Sequence, residues 1–442
     1  MGVKGLWKLA FPLMLTSLST HLMMFLDRLI LSYYSADAMN AVASTSLIFW
    51  IFSFGFLSLS LIAEVFVGQY NGAGRYLEIG KPVWQMIWFS LLTFLIFWPL
   101  GIFLGDYVIA EEFKEQGMPF FKWIMLFGPC FVMTGAVSSF FIGRGKPKII
   151  IGVVVIGNIV NFLLEIVLIF GIKGLIPAMG TRGAAIATGF AQVVELLVLF
   201  YFFLKEKNRK EFGTMNHAFD KQLFFGCMKV GWPNAVAHML GMAAWAMFFQ
   251  MLSSVKKEYI STLVVCQSVY FIFCFTSEGM QKGVTALVSN AIGAGNWPAI
   301  SKILWSSLKL QAILVLVVAI PLLVFPDILI DIFIKKTTVD HNLLRDMMKG
   351  ALIWMWLFYI FDSLYWIFVG ILTAAGDTRF IMVFNILSAW FFLLVPVYVF
   401  VVLLKMSPDL SWKFMTMDLC FAAIICFFRY RSGKWKHALI KP

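Results

Sequence analysis

The sequence predicts an all-α integral membrane protein with twelve transmembrane helices in two pseudo-symmetric six-helix bundles. Three observations predict it: the apolar content, the length and number of the apolar runs, and an internal repeat. Of 442 residues, 61% are hydrophobic and 13% charged, and the mean hydropathy is +0.88. A soluble domain is about 45–50% apolar and about 25% charged. No soluble core needs this much apolar sequence, so the membrane class is favoured before any motif is read. The net charge of +12 then reads as cationic cytoplasmic loops rather than as a nucleic-acid surface.

A helix crossing the hydrocarbon needs about 20 apolar residues. Twelve candidate spans meet that need: 8–33, 44–69, 83–105, 119–141, 149–171, 183–204, 223–253, 259–290, 303–333, 348–372, 379–404 and 411–429. The start "MGVKGLWKLAFPLML" has no polar cleavage region and reads as a retained first span. Gly2 is no myristoylation signal, because position 6 is Leu6. Alternate loops differ in charge. One set carries Arg75 and Lys81, then Arg144, Lys146 and Lys148, then a cluster from Lys205 to Lys221, and finally the tail from Arg429 to Lys441. The opposite set includes 105–117, with four acids and one Lys, and 32–40, with no Lys or Arg. The basic set is expected to be cytoplasmic, which places both termini inside a plasma or inner membrane. Patches at 255–259 and 334–336 run against this asymmetry.

The repeat has a fixed offset. Pro12 and Pro233 lie near the starts of the first and seventh spans, 221 positions apart; "NGAGR" (71–75) and "IGAGN" (292–296) are separated by the same 221. "GRGKPK" (143–148) and "AAGDTR" (374–379) match at a looser offset. Six spans per half is an even number, so the halves share one orientation, as in a parallel repeat. The polar stretch 205–222 reads as the linker, giving lobes 1–210 and 211–442. Two such bundles suit alternating access. The glycine motifs are neither dinucleotide fingerprints nor phosphate loops: "NGAGR" follows a membrane span, and "GRGKPK" lacks Gly-Lys-Ser/Thr. They read as tight turns. With no ATP motif, the energy source is expected to be an ion gradient.

Ionisable groups inside the bilayer are costly and mark function. Asp27 lies fifteen residues beyond Pro12, well inside the first span. A structural pair with Arg28 is the competing reading, but neighbours on a helix point about 100° apart, and Arg28 can snorkel outward. In the fifth span, Asn158, Asn161 and Glu165 recur at i, i+3 and i+7, on one face. Helix–helix hydrogen bonding is the alternative for the amides. The sixth span opens "GAAIAT" and ends that motif on Thr188. Together Asp27, Asn161, Glu165 and Thr188 offer oxygen ligands, which suit a hard cation such as Na+. Two close carboxyls suit a proton equally well. In the second half, Asp362 is the acid in the middle of the tenth span, and Glu278 is spaced i, i+4 from Lys282, as in a pair. His21 and His238 read as polar packing residues. Asp362, Glu278, Gln267 and Asn158 are candidates for a substrate cavity. Six scattered cysteines, Cys130, Cys227, Cys266, Cys274, Cys420 and Cys426, form no CxxC pair and read as reduced thiols.

These pieces, in this order, resemble a multidrug and toxic compound extrusion (MATE) transporter over nearly the whole chain. The matching residues are Pro12 with Asp27, "GQYNGAGR" (68–75), the 158–165 and 183–188 motifs, "GWP" (231–233), and Asp362 followed by "GDT" (376–378). The resemblance implies a non-enzymatic antiporter. It would export cationic, aromatic drugs or toxic organic compounds in exchange for Na+ or H+, without another cofactor. It also implies a cation site at Asp27, Asn161, Glu165 and Thr188, and helix bending at Pro12. Expected partners are a small-molecule substrate and membrane lipids, with the protein acting as a monomer. Two departures stand out. The family usually has Asp where this chain has Glu165, and many members carry an acid at the position of Gly241. The latter makes the chain more similar to the DinF-like branch, where the N-terminal lobe dominates coupling. A lipid-linked oligosaccharide or polysaccharide flippase is the alternative; it would need several basic residues at its cavity, for which Arg28, Lys282 and Lys309 are the candidates. An integral-membrane transferase using His21 or His238 is a more distant reading.

Overall fold

The computed structural model describes the backbone of residues 2–253, 257–334, 341–406 and 409–440, and the side chains of these except 249, 253, 257–268, 329, 332–334, 341–344, 347 and 409. The patches at 255–259 and 334–336, Cys266 and the Gln267 side chain therefore lie outside the described residues.

Twelve long helical runs follow one another. They are α1 (Val3–Tyr34), α2 (Ala36–Gly72), α3 (Tyr76–Val108), α4 (Glu111–Gly143), α5 (Lys148–Phe170), α6 (Gly180–Phe203), α7 (Lys221–Leu252), α8 (Lys257–Gly293), α9 (Trp297–Val324), α10 (His341–Ala374), α11 (Thr378–Leu403) and α12 (Leu410–Ser432). Eleven of them contain a described apolar stretch sufficient to cross a membrane, and α8 is the remaining long helix. At about 1.5 Å per residue, the 32-residue α1 is about 48 Å long, more than the hydrocarbon thickness of about 30 Å. Large apolar side chains such as Leu95, Phe103, Leu163 and Leu197 are exposed. On helices of this kind such side chains meet lipid rather than water.

The turns read from the glycine motifs are present. Gly74 and Gly295 both adopt positive φ, +72° and +66°, a region that side chains with a Cβ disfavour. The first closes α2 with a hydrogen bond from the Arg75 amide to the Tyr70 carbonyl, 3.0 Å. After α4 and α10 the same long-range closure recurs, from Lys146 to Phe141 (2.8 Å) and from Asp377 to Leu372 (2.9 Å). This bond captures a carbonyl that a helix end would otherwise leave unpaired. The repeat also extends to a feature missed in the sequence. Both α3 and α9 carry a π-helical turn in their last third, Leu100–Leu104 and Ile320–Val324, with Pro99 just before the first and Pro321 inside the second. A proline lacks the amide that the regular ladder requires, so the chain widens there.

Packing divides the chain into two compact units. One comprises Met1–Met14, Leu240–Val288 and Asn296–His437; the other comprises Leu15–Met239, Ser289–Gly295 and Ala438–Pro442. Helices α1 and α7 each contribute to both units, and both run on through an internal proline, Pro12 or Pro233. In the first unit a core of Phe248, Leu322, Tyr359, Leu393 and Trp412 is buried. There Asp377 also takes a two-pronged bond from Arg429, at 2.7 and 3.1 Å.

The second unit joins the two glycine motifs directly. Asn71 donates to Asn290 (2.6 Å), and Asn290 donates to the Gly143 carbonyl (2.7 Å). Gln69 accepts the amides of Leu439 and Ile440 at 2.8 and 3.3 Å. Just outside the membrane-spanning part of α4, Arg144 lies over the rings of Phe140 and Phe212. Burial there lowers its guanidinium pKa to about 10. Among the described residues, Cys130, Cys227, Cys274, Cys420 and Cys426 form no disulfide.

Candidate functional site

The predicted one-face stripe on α5 is real. Its buried residues are Ile150, Val153, Gly157, Asn161, Glu165 and Ile169, spaced three or four apart. Opposite them, Val155, Ile159, Phe162 and Ile166 are exposed. Helix α6 answers with a buried face of small residues, Gly183, Ala184, Ala187, Thr188 and Ala191. Small side chains let two helices approach closely in a membrane. The approach brings the Asn161 Nδ2 to the Thr188 Oγ1 at 3.2 Å, while the Thr188 hydroxyl donates to the Ala184 carbonyl at 3.0 Å.

Glu165 is one turn further along the same stripe and fully buried, with Asn161 2% exposed and Thr188 8% exposed. Its carboxyl faces Asp27 of α1 within interaction distance, and Asn161 is its other polar neighbour. The four residues expected to share a cation therefore come together. Their chemistry is unbalanced. Glu165 Oε1, Glu165 Oε2 and Asp27 Oδ1 are buried without a hydrogen-bond partner among the described residues. Carboxylates are acceptors, and the Asn161 amide beside Glu165 does not reach these oxygens in hydrogen-bond geometry. Arg28 does not supply a donor, because its residue is exposed while Asp27 is half-buried. Two facing carboxyls with unused oxygens can hold one proton between them, or a cation liganded by these oxygens and the Thr188 hydroxyl.

Asn158 has a different place. Its Nδ2 donates to the Ser19 Oγ at 2.6 Å and to the Ser19 carbonyl at 3.1 Å, fastening α5 to α1. This is the helix–helix bond weighed against function in the sequence. Pro12 is on α1 in the first unit, whereas Asp27 is in the second.

Within the first unit, Asp362 on α10 is buried, at 4% exposure. Trp366 Nε1, one turn away, donates to its Oδ1 at 2.9 Å, and Ser277 and Tyr270 also interact with the carboxyl. Its Oδ2 and the Ser277 Oγ lack a partner that meets hydrogen-bond geometry. Nearby, Tyr359 binds Thr276 of α8 and receives the Gln311 Nε2 of α9 at 3.1 Å. Glu278 is half-buried on α8.

Sequence reasoning missed two buried acids. Glu195 on α6 and Asp418 on α12 are each 9% exposed. Ser388 donates its hydroxyl to Asp418. The available signal for Glu195 was its spacing: it lies seven residues beyond Thr188, two helical turns along the same face.

Comparison with known proteins places this geometry among relatives. The MatE family model matches residues 12–167 and 234–399. A probable multidrug resistance protein NorM from Thermotoga maritima is 25% identical over 442 residues, covering 98% of this chain and 93% of the relative. Multidrug resistance protein MdtK from Yersinia pseudotuberculosis is 24% identical over 443 residues, covering 97% of this chain and 95% of its own. Among solved structures, a crystal structure of MATE in the straight conformation aligns with a TM-score of 0.85 at 16% identity, over 98% of this chain and 97% of that one. Such a likeness speaks to the fold. Neither the NorM nor the MdtK name singles out the DinF-like branch.

Proposed function

The chain belongs to the MatE family, and we propose that it is a secondary antiporter. It exports cationic, aromatic drugs or toxic organic compounds in exchange for Na+ or H+. The observation that carries the coupling assignment is the under-served pair: among the described residues, three buried carboxyl oxygens of Asp27 and Glu165 have no hydrogen-bond partner. Leaving such charge uncompensated inside a membrane is costly. A proton or Na+ arriving at the pair removes that cost, and the gain differs between conformations that hold the carboxyls together and those that separate them. A ligand shifts a conformational equilibrium only by such a difference. Asn161 and Thr188 hold the α5–α6 side of the site, and α1, carrying Asp27 and tied to α5 at Ser19, is the element that responds, with Pro12 as its weak point.

In this reading the protein is a multi-pass plasma-membrane protein with both termini cytoplasmic, working as a monomer among lipids. The lobes 1–210 and 211–442 are its two repeats, and Asp362, Glu278 and Gln267 contribute to the drug-binding cavity. Names of the relatives, multidrug resistance proteins, support a small-molecule substrate. The flippase alternative finds no support: Arg28 and Lys309 are exposed and only Lys282 is half-buried, and the relatives are named multidrug resistance proteins.

The test uses purified protein in proteoliposomes loaded with a fluorescent cationic dye. A Na+ gradient and a pH gradient are imposed separately. One of them is expected to drive dye movement in the wild type and none in Asp27→Asn. Dye movement unaffected by Asp27→Asn would remove the pair from the coupling mechanism.

A further inference from the structure

We propose that Glu195 forms a second proton-binding site, distinct from the Asp27–Glu165 pair and placed nearer the basic end of the α5–α6 seam. Its part in the transport cycle rests on the antiport reading above; the site itself stands on packing.

Glu195 lies against α5 at a glycine, Gly157. An ideal Cβ built on Gly157 would stand 2.0 Å from Glu195 Oε1, 2.4 Å from its Cγ and 2.6 Å from its Cδ. Any side chain at 157 would collide with the carboxyl, so the glycine is the cradle in which it lies. Gly157 and Glu165 share the buried stripe of α5. Eight residues of helix separate them, about 12 Å. That is too far for one cation to be shared, so the two are separate sites. The Gly157 end of α5 leads back to Lys148 and the Arg144–Lys146 turn, the side with the basic loops.

The carboxyl is poorly served. Its one hydrogen bond is a long one, from Gln192 Nε2 to Oε2 at 3.4 Å. The same Nε2 donates to the Thr134 Oγ1 of α4 at 2.8 Å, which is the stronger bond. The Thr134 hydroxyl in turn donates to the Cys130 carbonyl, and Cys130 is the titratable side chain on that turn of α4. Among the described residues, no Lys, Arg or His and no second carboxylate faces Glu195 from α2, α4 or α5; its polar partner is Gln192.

A buried carboxylate served by one long hydrogen bond is costly inside a membrane, and a bound cation relieves it. Sodium needs several oxygen ligands, whereas here an amide nitrogen is turned towards the carboxyl. The proton is the cation that suits this cradle. When it leaves, it passes to water as hydronium, and the carboxylate that remains competes with Thr134 for the Gln192 amide. Ionisation at Glu195 would therefore act on the α4–α6 contact as well as on charge. The motivating contrast is with Asp362, whose carboxyl has the Trp366, Ser277 and Tyr270 groups around it.

The experiment labels wild-type protein in proteoliposomes with a hydrophobic carbodiimide, which takes the proton of a protonated carboxyl and is then attacked by the carboxylate oxygen, and maps the adducts by peptide mass spectrometry. Glu195 is expected to be modified, less so as the pH is raised through neutrality, and to the same extent in Asp27→Asn. Gly157→Ala, which pushes a methyl into the carboxyl, is expected to shift that pH profile. No adduct at Glu195 at any pH, or labelling independent of pH, would overturn the proposal. A transport arm tests the role. Glu195→Gln is expected to slow pH-gradient-driven dye efflux several-fold with dye binding retained, and Glu195→Asp to restore part of the rate. An unchanged rate and pH profile in Glu195→Gln would refute the role in transport. If wild type moves dye under neither gradient, the antiport reading has failed, and the labelling alone decides on Glu195.

Discussion

The two halves of the molecule each bury a carboxyl group in a long apolar helix, and they treat it differently. In the first unit, Asp362 is approached by neutral donors, with the Trp366 indole at 2.9 Å. In the second, Glu165 and Asp27 face each other, and three of their oxygens have no donor. Neutral hydrogen bonds partly satisfy Asp362 without changing its charge, with the Glu278 carboxyl nearby. Two facing acids cannot be satisfied that way, because each offers the other only acceptors unless a proton or metal ion joins them. The repeat thus preserves the scaffold while its halves diverge in chemistry. At the repeat's offset of 221, the position of Asp27 corresponds to Phe248, which carries no charge.

The strongest way to break this comparison is to neutralise one carboxyl in each half. Asp27→Asn and Glu165→Gln are each predicted to reduce gradient-driven dye efflux to the background of empty liposomes. Asp362→Asn is predicted to leave coupling intact while weakening dye binding, read from initial rates against dye concentration. Equal losses in all three would erase the distinction between the halves. A smaller effect is expected from Glu165→Asp, which keeps the charge but withdraws the carboxyl by one methylene. The maximal rate should survive, with a higher cation concentration needed for half-activation.

Smaller again is Thr188→Val. It removes the hydroxyl that accepts from Asn161 and donates to the Ala184 carbonyl. Intramembrane hydrogen bonds average about 0.6 kcal/mol, so half-activation should move by a few-fold at most. Trp366→Phe is the smallest change and the one that sharpens the comparison. Taking the indole donor from Asp362 should make that acid behave more like the pair in the other half. A weak additional cation dependence of dye binding would reveal it.

Much of this arrangement was legible in the sequence, and the exceptions have physical causes. The i, i+3, i+7 spacing of Asn158, Asn161 and Glu165 placed them on one helix face, and Asn161 and Glu165 are indeed on the buried stripe. Asn158 is at the edge of that stripe, where a shift of about 100° turns it to Ser19 on α1. Periodicity fixes a face but not which helix covers it. The turns at 71–75 and 292–296 were readable because a positive φ leaves a glycine signature. That these motifs would join through Asn71 and Asn290 was not readable, since nothing local encodes a contact between residues 219 apart. The lobe boundary at 210 follows the polar linker 205–222. Glu195 escaped notice because a single acid in an apolar run gains meaning only beside the glycine it rests on.

The central claim is that the cation is held in the half that carries Asp27 and Glu165. The most direct test is equilibrium binding of radioactive sodium to purified protein in weakly buffered solution, with proton release or uptake followed by electrode in the same sample. Wild type, Asp27→Asn and Asp362→Asn would be compared. The account predicts saturable exchange of one cation for another in wild type and in Asp362→Asn, and its loss in Asp27→Asn. Exchange that persists in Asp27→Asn and disappears in Asp362→Asn would contradict it, and would move the coupling site to the other half of the protein.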